Sequence, residues 1–214
     1  MPLTTRLATI SDVKAMAMLH MASFQPHEHL GALLGSKFVE ASYLWHVSND
    51  CAYVIVAELE GALVGLLGMC DGPFTMRMLR GCRGAFVGAI LRRPWLLIDQ
   101  RLWSRLARAK ASSVWVGEFC STQGVAQMTI GAVDGKVRGH NVFPSLIRCC
   151  EDSSKARGIV AVRAGVYRKN TSCQRSFVKS GWVEVPDLGS HETVFFVRVF
   201  SHDLLERFPQ LAGC

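Results

Sequence analysis

One succession of elements in the second half of this 214-residue chain constrains its fold more than any other feature. Apolar and β-branched residues predict a strand over Met128–Val133, and a glycine-containing turn follows at Asp134–Asn141. A helix then begins near Phe143–Pro144, where proline suits the first turn, and Gly158 predicts its end. The run Ile159–Val166 predicts the next strand. Two strands joined through a helix form a right-handed parallel crossover, so a mixed α/β fold is predicted.

The remaining sequence adds elements on both sides of this unit. In chain order we predict a strand at Thr4–Ala8, a helix to about Phe24, a helical region at Leu30–Ser48, a hairpin of strands at Ala52–Leu59 and Ala62–Met69, a strand-like piece at Val114–Val116, a helix at Thr171–Ser180, a hairpin at Trp182–Val185 and Thr193–Phe200, and a helix at His202–Phe208. Half of the residues are hydrophobic, and no linker or repeat divides the chain. We therefore predict one domain over residues 1–214.

The eight cysteines are scattered without a paired spacing, and no CxxC motif occurs. Most of them lie among apolar neighbours, which favours reduced thiols in a cytosolic protein over a disulfide framework. No zinc spacing occurs either, so no metal is predicted. The first residues lack the apolar run of a signal peptide, and no stretch reaches the ~20 apolar residues of a membrane span. A soluble, cytoplasmic protein is expected.

Basic residues are concentrated in one segment, Phe74–Lys110. It contains nine arginine and lysine residues against Asp99 alone, a net charge of +8, whereas the formal net charge of the whole chain is +7. Apolar residues at helix-like spacing, including Trp95 and Trp103, lie between the arginines. Three interpretations remain open: helices that cover the core, an amphipathic element on an anionic membrane surface, and a lid that attracts an anionic substrate. Nucleic acid is not a predicted partner, because no recognised binding module occurs.

The turn before the predicted helix is suited to an anion. A strand that runs through a tight turn into a helix leaves backbone N–H groups unpaired, and the positive end of the helix dipole lies beside them. Such groups together suit a phosphate. Arg138, within the turn, adds a cation that can form two hydrogen bonds with phosphate oxygens.

Two motifs in this order resemble those of the GNAT superfamily of acyl-CoA-dependent N-acetyltransferases. The acyl-CoA motif of that family, Arg/Gln-x-x-Gly-x-Gly/Ala between a strand and a helix, is similar to residues 138–143, with Arg138 first. Asn141 and Phe143 stand where the family has glycine or alanine. A second family motif is similar to Asn170–Trp182. The resemblance covers nearly the whole chain and implies a central mixed sheet of about six to seven strands flanked by helices.

The resemblance also implies an acetyl-CoA site. Backbone N–H groups at the turn and the helix start would hold the pyrophosphate, and the residues concerned are Arg138, Gly139, His140, Asn141, Val142 and Phe143. The strand edge at Ala132 and Val133 would pair with the pantetheine arm, and a backbone N–H there would polarise the thioester. Asn170 and Phe177 would contact the same arm. Asparagine tolerates left-handed backbone, so Asn141 is expected to preserve the turn, whereas the Phe143 ring must point away from the pyrophosphate.

The family usually has a tyrosine at the position of Phe177, where its hydroxyl protonates the leaving thiolate. Phenylalanine has no such proton. Tyr167, Cys173 or water would therefore supply it, and Tyr167 is the candidate that we carry forward.

The family often uses a glutamate on the fourth strand as the general base for the amine. The corresponding residue here is Gln127, which cannot accept a proton, and Glu118 is the nearest carboxylate. The run His27–His29 follows the first helix, in a loop that commonly helps to build the family's acceptor pocket. Its side chains could bind or deprotonate an amine.

We therefore predict an acetyl-CoA-dependent N-acetyltransferase that acts on the amine of a small molecule, such as an amino sugar or a nucleotide-linked amino sugar, by direct transfer. The alternative is a catalytically silent GNAT-like module that binds acyl-CoA or a protein partner, and O-acyl transfer is a third interpretation. The oligomeric state is not predicted.

Overall fold

A seven-stranded mixed sheet forms the centre of the computed structural model, which describes residues 2–26, 29–100, 102–103, 114–137 and 139–213. The strand order across the sheet is β1-β2-β3-β4-β5-β7-β6. The strands are β1 Thr4–Leu7, β2 Ala52–Leu59, β3 Ala62–Asp71, β4 Val125–Val133, β5 Ala161–Tyr167, β6 Val183–Glu184 and β7 Thr193–Val199. The mixed α/β fold and the strand number expected from the sequence are thus confirmed.

Among the seven strands of the described residues, the central pair β4 and β5 is parallel and the other pairs are antiparallel. The helix between these two strands completes the predicted crossover. The helices discussed below are α1 Val13–Ser23, α2 Leu30–Leu34, α3 Ser36–Val47, α4 Thr75–Gly81, α5 Arg83–Arg92, α6 Val114–Ser121, α7 Val142–Ala156, α8 Thr171–Lys179 and α9 His202–Arg207.

Helices cover both faces of the sheet. On one face, α1 and α3 pack against β2 and β3 through a buried cluster that includes Met16, Val39 and Leu66. On the other face, α7 presents Leu146 and Ile147 to the opposite side of the same strands. Adjacent residues of a strand point to opposite faces, so continuous apolar runs such as β2 and β3 supply both layers.

The strand predicted at Val114–Val116 is wrong, because residues 114–121 form helix α6. Its β-branched residues resembled a strand, but Val116, Phe119 and Cys120 have the spacing of one helix face. Phe119 is fully buried and meets the Phe208 ring edge-to-face, with ring centroids 5.6 Å apart. Packing against this end of the sheet overrides the local β propensity.

The basic segment forms α4, α5 and a 3₁₀ turn at Pro94–Leu97 within its described part. One side of these helices is buried against α2 and α3 and contains Met78, Cys82, Ala89 and Leu96. Residues 101 and 104–113 are not described, and they include the end of the segment. The helical character predicted for its middle is confirmed by α5.

No helix of the described residues is long and apolar enough to cross a membrane. Seven of the eight cysteines are described, and none of these seven forms a disulfide.

Candidate functional site

The central parallel strands separate along their length. They pair over Val125–Met128 and Ala161–Ala164. Beyond these residues β5 continues alongside β7, and β4 continues alongside β3. A gap therefore opens in the middle of the sheet between the last residues of β4 and β5, and the backbone edge of β4 that faces it has no strand partner there.

A β-bulge in β4 lies where the gap begins. Gly68 is opposite Ile130 and Met69 is opposite Met128, so Thr129 is the extra residue. A methyl group on Gly68 would lie 2.7 Å from Thr129 Oγ1 and 2.8 Å from Ile130 Cγ2. The bulge therefore requires glycine at position 68, and it turns the Thr129 side chain toward α3.

Two cavities meet the gap, and the larger one, of about 980 Å³, opens on the side of α7 and α8. The residues that line it are Ser23, Phe24, Gly131, Ala132, Val133, Val137, Gly139, Asn141, Val142, Phe143, Pro144, Ile147, Arg148, Glu151, Tyr167, Lys169, Asn170, Ser172, Cys173, Ser176, Lys179 and Ser180. We refer to it below as the larger cavity. It joins the edge of β4 to the first turn of α7.

The turn before α7 has the left-handed backbone expected of it. Asn141 has φ 57° and ψ 17°, and Gly139 has φ 89°. Asparagine adopts this conformation more readily than most residues, so it can replace glycine here. The N–H groups of Val142 and Phe143 are the first of the helix and precede its regular hydrogen bonding. They lie at the positive end of the helix dipole, on the wall of the larger cavity.

The Phe143 ring points toward the sheet. It meets the Phe177 ring edge-to-face at 5.6 Å, and a methyl group on Gly131 would lie only 3.1 Å from its Cε2 atom. The missing side chain at Gly131 thus makes room for the ring. Because the ring lies between Gly131 and Phe177, the side chain of Phe143 does not cover its own backbone N–H.

Cations outnumber anions on the wall of the larger cavity. Arg148, Lys169 and Lys179 line it, and Glu151 is the one carboxylate among its described lining residues. Glu151 accepts a hydrogen bond of 2.6 Å from the indole N–H of Trp182. The net charge of the described lining is therefore positive, which suits an anionic ligand.

A smaller cavity of about 230 Å³ lies on the opposite face of the sheet. It is lined by His20, His29, Leu30, Gly31, Phe38, Ser42, Tyr43, His46, Phe74, Thr75, Met78, Thr129, Ile130 and Tyr167. We refer to it below as the smaller cavity. Tyr167, at the end of β5, lines both cavities, so the two meet across the gap.

His46 is held in one tautomer at the wall of the smaller cavity. Its Nδ1 atom lies 2.6 Å from the carbonyl oxygen of Ser42, so Nδ1 carries the proton and donates it. Nε2 lies 3.0 Å from the Thr129 hydroxyl and accepts from it. Burial lowers the pKa of His46 to about 4, so the ring is neutral near pH 7.

A second hydrogen-bonded group, formed by His29, His20 and Tyr43, lies on the wall of the smaller cavity. Gly31 N–H donates to Nδ1 of His29, and His20 Nε2 donates to the same atom at 3.1 Å. Nδ1 of His20 then accepts from the Tyr43 hydroxyl at 3.0 Å. Burial first, and His29 second, lower the pKa of His20 to about 3. Among the residues that sequence reasoning missed, His20, Tyr43 and His46 share one signal, a polar side chain on the apolar face of a helix.

Most of the predicted cofactor residues come together in the larger cavity. Ala132, Val133, Gly139, Asn141, Val142, Phe143 and Asn170 line it. The Asn170 side chain also accepts from the N–H of Cys173 at 3.1 Å and so caps α8. His140 is exposed but is not part of this lining, and Arg138 lies outside the described residues.

Phe177 is not brought to the cavity. Its ring is buried beneath Phe143, stacks on Phe196 with centroids 5.4 Å apart, and meets Trp182 at 5.0 Å. The position that usually carries a hydroxyl in the family is therefore a core position here.

The two positions considered for a general base lie away from the cavities. Glu118 is half exposed on α6, and its carboxylate accepts from Arg207 at 2.7 Å. It lines neither cavity. Gln127 accepts a hydrogen bond of 2.6 Å from Arg163 through its amide oxygen. His27 and Glu28 lie outside the described residues.

Within the described part of the chain, no group of three or more histidine, cysteine, aspartate or glutamate side chains could hold a metal ion.

The fold is similar to that of solved GNAT-family acetyltransferases. The solved structures that this chain resembles include the GNAT-family acetyltransferase of Streptococcus pneumoniae, with a TM-score of 0.56 and 14% identity over 93% of this chain and 100% of that one. Another is the PaiA N-acetyltransferase of Thermoplasma acidophilum in complex with coenzyme A, with a TM-score of 0.56 and 12% identity over 94% and 100% of the two chains.

A third is the ribosomal-protein-alanine N-acetyltransferase of Brucella melitensis, with a TM-score of 0.56 and 16% identity over 92% of this chain and 99% of that one. No family model matches the sequence, and no curated protein matches it. The fold expected from the resemblance is thus confirmed by structure, at identities too low for sequence alone to establish it.

Proposed function

We propose that this protein is an acetyl-CoA-dependent N-acetyltransferase that transfers the acetyl group directly to the amine of a small molecule. The observation that carries the proposal is the gap between β4 and β5. It joins a cationic cavity at the start of a helix to a separate, smaller cavity on the other face of the sheet. Direct transfer between two substrates requires two such sites that meet at the reacting atoms.

The larger cavity suits acetyl-CoA in its charge and in its position between the edge of β4 and the start of α7. The N–H groups of Val142 and Phe143 suit the pyrophosphate, with Arg148 and Lys179 as nearby cations. The backbone edge of β4 at Ala132 and Val133 suits an extended amide-containing arm. The coenzyme A complex of the similar Thermoplasma acidophilum protein supports this assignment.

When bound, acetyl-CoA would supply the activated acetyl group. The amine nitrogen would then attack the thioester carbonyl, so that a C–N bond would form and the C–S bond would break, and the amine would lose a proton while the thiolate would gain one. A backbone N–H on the free edge of β4 would stabilise the developing oxyanion. Tyr167 lines both cavities, so its hydroxyl is our candidate for protonating the thiolate.

Acetyl-CoA binding, measured by titration calorimetry, tests the assignment of the larger cavity. Asn141→Val places a β-branched residue in left-handed backbone, so we expect acetyl-CoA to bind about tenfold more weakly, equivalent to about 1.4 kcal/mol. Asn141→Gly is the matched control, because glycine adopts this backbone without strain. Equal affinity of both variants and the unaltered protein would place coenzyme A elsewhere.

Release of free thiol from acetyl-CoA over a panel of amines tests transfer itself. Two features favour the silent alternative: Phe177 is a core residue, and Gln127 is engaged by Arg163. If acetyl-CoA binds but no amine yields free thiol above the rate in buffer, the protein is the silent acyl-CoA-binding module.

The basic segment supports a second proposal, contact with an anionic membrane surface. Leu91, Trp95 and Ile98 are exposed, the last by 83%, and they lie in a segment with the exposed arginines Arg83 and Arg92. Exposed large apolar side chains among cations are typical of helices that lie at a lipid headgroup layer.

Flotation with anionic liposomes at low salt tests this contact. Trp95→Ser combined with Ile98→Ser should move the protein from the lipid to the soluble fraction. Ile10→Ser is the control, because Ile10 is 65% exposed outside the basic segment. If the unaltered protein remains in solution, the membrane proposal is wrong.

A further inference from the structure

We propose that the smaller cavity binds a compact aromatic amine in its uncharged form, such as an arylamine or a heteroaromatic amine. This inference rests on the proposed function and names the substrate class of the acceptor site. Three properties of the cavity support it: its size, the charge of its lining, and the hydrogen-bond acceptor that the lining leaves available.

The cavity has the size of one ring with a short substituent. Its volume is about 230 Å³, whereas a buried apolar cavity of about 150 Å³ is sufficient for benzene. Phe38 and Tyr43, whose side chains are almost fully buried, and Phe74 contribute aromatic surfaces. Flat apolar walls of this kind favour a ring through offset or edge-to-face contacts.

The lining contains no charged side chain among its described residues. Its titratable members are three histidines and two tyrosines, and His20 and His46 are neutral near pH 7 because burial disfavours the charged ring. Among these described lining residues, an ammonium group would lose its hydration and meet no carboxylate, and a phosphate would meet no cation. A neutral amine meets neither penalty.

The hydrogen bonds of the wall leave an acceptor for the amine. Because the Thr129 hydroxyl donates to Nε2 of His46, its oxygen has lone pairs but no remaining proton to donate. A neutral amine can donate one N–H to this oxygen, which orients the lone pair of its nitrogen away from Thr129. Thr129 lies at the bulge where the gap begins, so an amine bound to its oxygen lies beside the gap with a lone pair available for attack.

An uncharged amine also accounts for the residue at position 127. An alkylamine is protonated near pH 7 and needs a base before it can attack, whereas an arylamine is already neutral. Gln127, whose amide accepts from Arg163, cannot serve as that base. A site that receives only neutral amines does not need a carboxylate there.

The test compares four amines with the purified full chain and acetyl-CoA, by thiol release: para-ethylaniline, phenethylamine, spermidine and glucosamine. We expect kcat/KM for para-ethylaniline to exceed the others at least about tenfold near pH 7. Its kcat/KM should be level from about pH 6.5 to 9, whereas that of phenethylamine should rise about tenfold per pH unit, because only its free base binds.

One variant fills the cavity and one alters its wall. Thr75→Phe, at the half-buried start of α4, should lower kcat/KM for para-ethylaniline at least about tenfold and leave the calorimetric affinity for acetyl-CoA unchanged, which also shows that the variant is folded. Thr129→Val removes the acceptor oxygen at similar volume and should raise KM for the amine.

Higher kcat/KM for spermidine or glucosamine would overturn the inference and leave the proposed acetyltransferase function intact. If no amine is turned over, the proposed function fails, and calorimetric titration with para-ethylaniline then decides the inference alone. Binding that Thr75→Phe abolishes supports it, and absence of binding overturns it.

Discussion

Tyr167 lines both the larger and the smaller cavity, and consecutive residues of β4 line one or the other, yet the two cavities differ in the groups that supply their chemistry. The larger cavity is formed by backbone at the turn before α7 and by exposed cations such as Lys179. The smaller cavity is formed by buried side chains of α1, α3 and α4, whose histidines are kept neutral. A backbone site tolerates exchanges of side chains, whereas a buried side-chain site depends on each member.

The backbone character of the larger cavity explains why the sequence can depart from the family motif there. Asn141 and Phe143 replace small residues in the larger cavity, and the local backbone accommodates both. Thr129, by contrast, requires Gly68 opposite the bulge and His46 beyond it. We therefore expect variants to affect the two cavities differently.

The largest expected effect is acid destabilisation that originates at the smaller cavity. Burial lowers the folded-state pKa values of His20 and His46 to about 3 and about 4, below the ordinary histidine value of 6.5. The unfolded chain thus binds more protons below pH 6.5, and stability is complete above this pH and is lost as pH falls toward the folded pKa values. Each histidine should contribute up to about 1.4 kcal/mol per pH unit.

Urea unfolding between about pH 7 and 4.5 measures this loss. His46→Gln retains an acceptor for Thr129 and cannot be protonated, so its unfolding free energy should decline less steeply than that of the unaltered protein. Equal slopes would mean that the His46 ring is not held neutral by burial.

Tyr167→Phe tests the residue that the two cavities share. If its hydroxyl protonates the thiolate, kcat for the best amine should fall by about 100-fold, while the calorimetric affinity for acetyl-CoA remains unchanged. An unchanged kcat would favour Cys173 or water as the proton donor.

Phe177→Tyr restores the hydroxyl that the family usually has, but at a buried position. The new hydroxyl would lie among Phe143, Trp182 and Phe196, so we expect a loss of about 1–3 kcal/mol in unfolding free energy and no gain in kcat. Phe195→Tyr, on the half-exposed side of β7, is the control. A rise in kcat would show that position 177 can reach the thiolate.

The smallest expected effect concerns the cations of the larger cavity. Lys179→Gln should weaken acetyl-CoA binding by about 0.5–1 kcal/mol at low salt, and the difference should shrink as salt is added. Arg175→Gln is the matched control, an exposed cation on the same helix that does not line the cavity. KM for the amine should not respond to either change.

The sequence was a good guide to the larger cavity and a poor one to the smaller. The former lies on a contiguous strand, turn and helix, whose patterns are local, so the predicted bounds of its elements agree with the structure to within three residues. The latter depends on residues far apart in the chain. Nothing in the periodicity of α3 distinguishes His46 from a buried polar residue with a purely structural role.

Glu118, the candidate for a general base, also shows that the sequence does not predict contacts between residues far apart in the chain. Glu118 precedes β4 closely in the sequence, but helix α6 directs its carboxylate to Arg207. Proximity in sequence predicted neither its direction nor the helix that carries it. Its proposed role, like that of Tyr167, stays a prediction.

The sequence by itself determined the crossover, the left-handed turn at Asn141 and the start of α7, because hydrophobic periodicity and turn chemistry act over a few residues. Only the tertiary structure decided that β4 and β5 separate after four residue pairs and that Thr129 reaches His46, 83 positions away in the chain. Strand register and helix placement, which arise from the packing of the whole core, set these contacts. The turn proposed to bind the pyrophosphate could thus be predicted from the chain, whereas the smaller cavity could be described only from the fold.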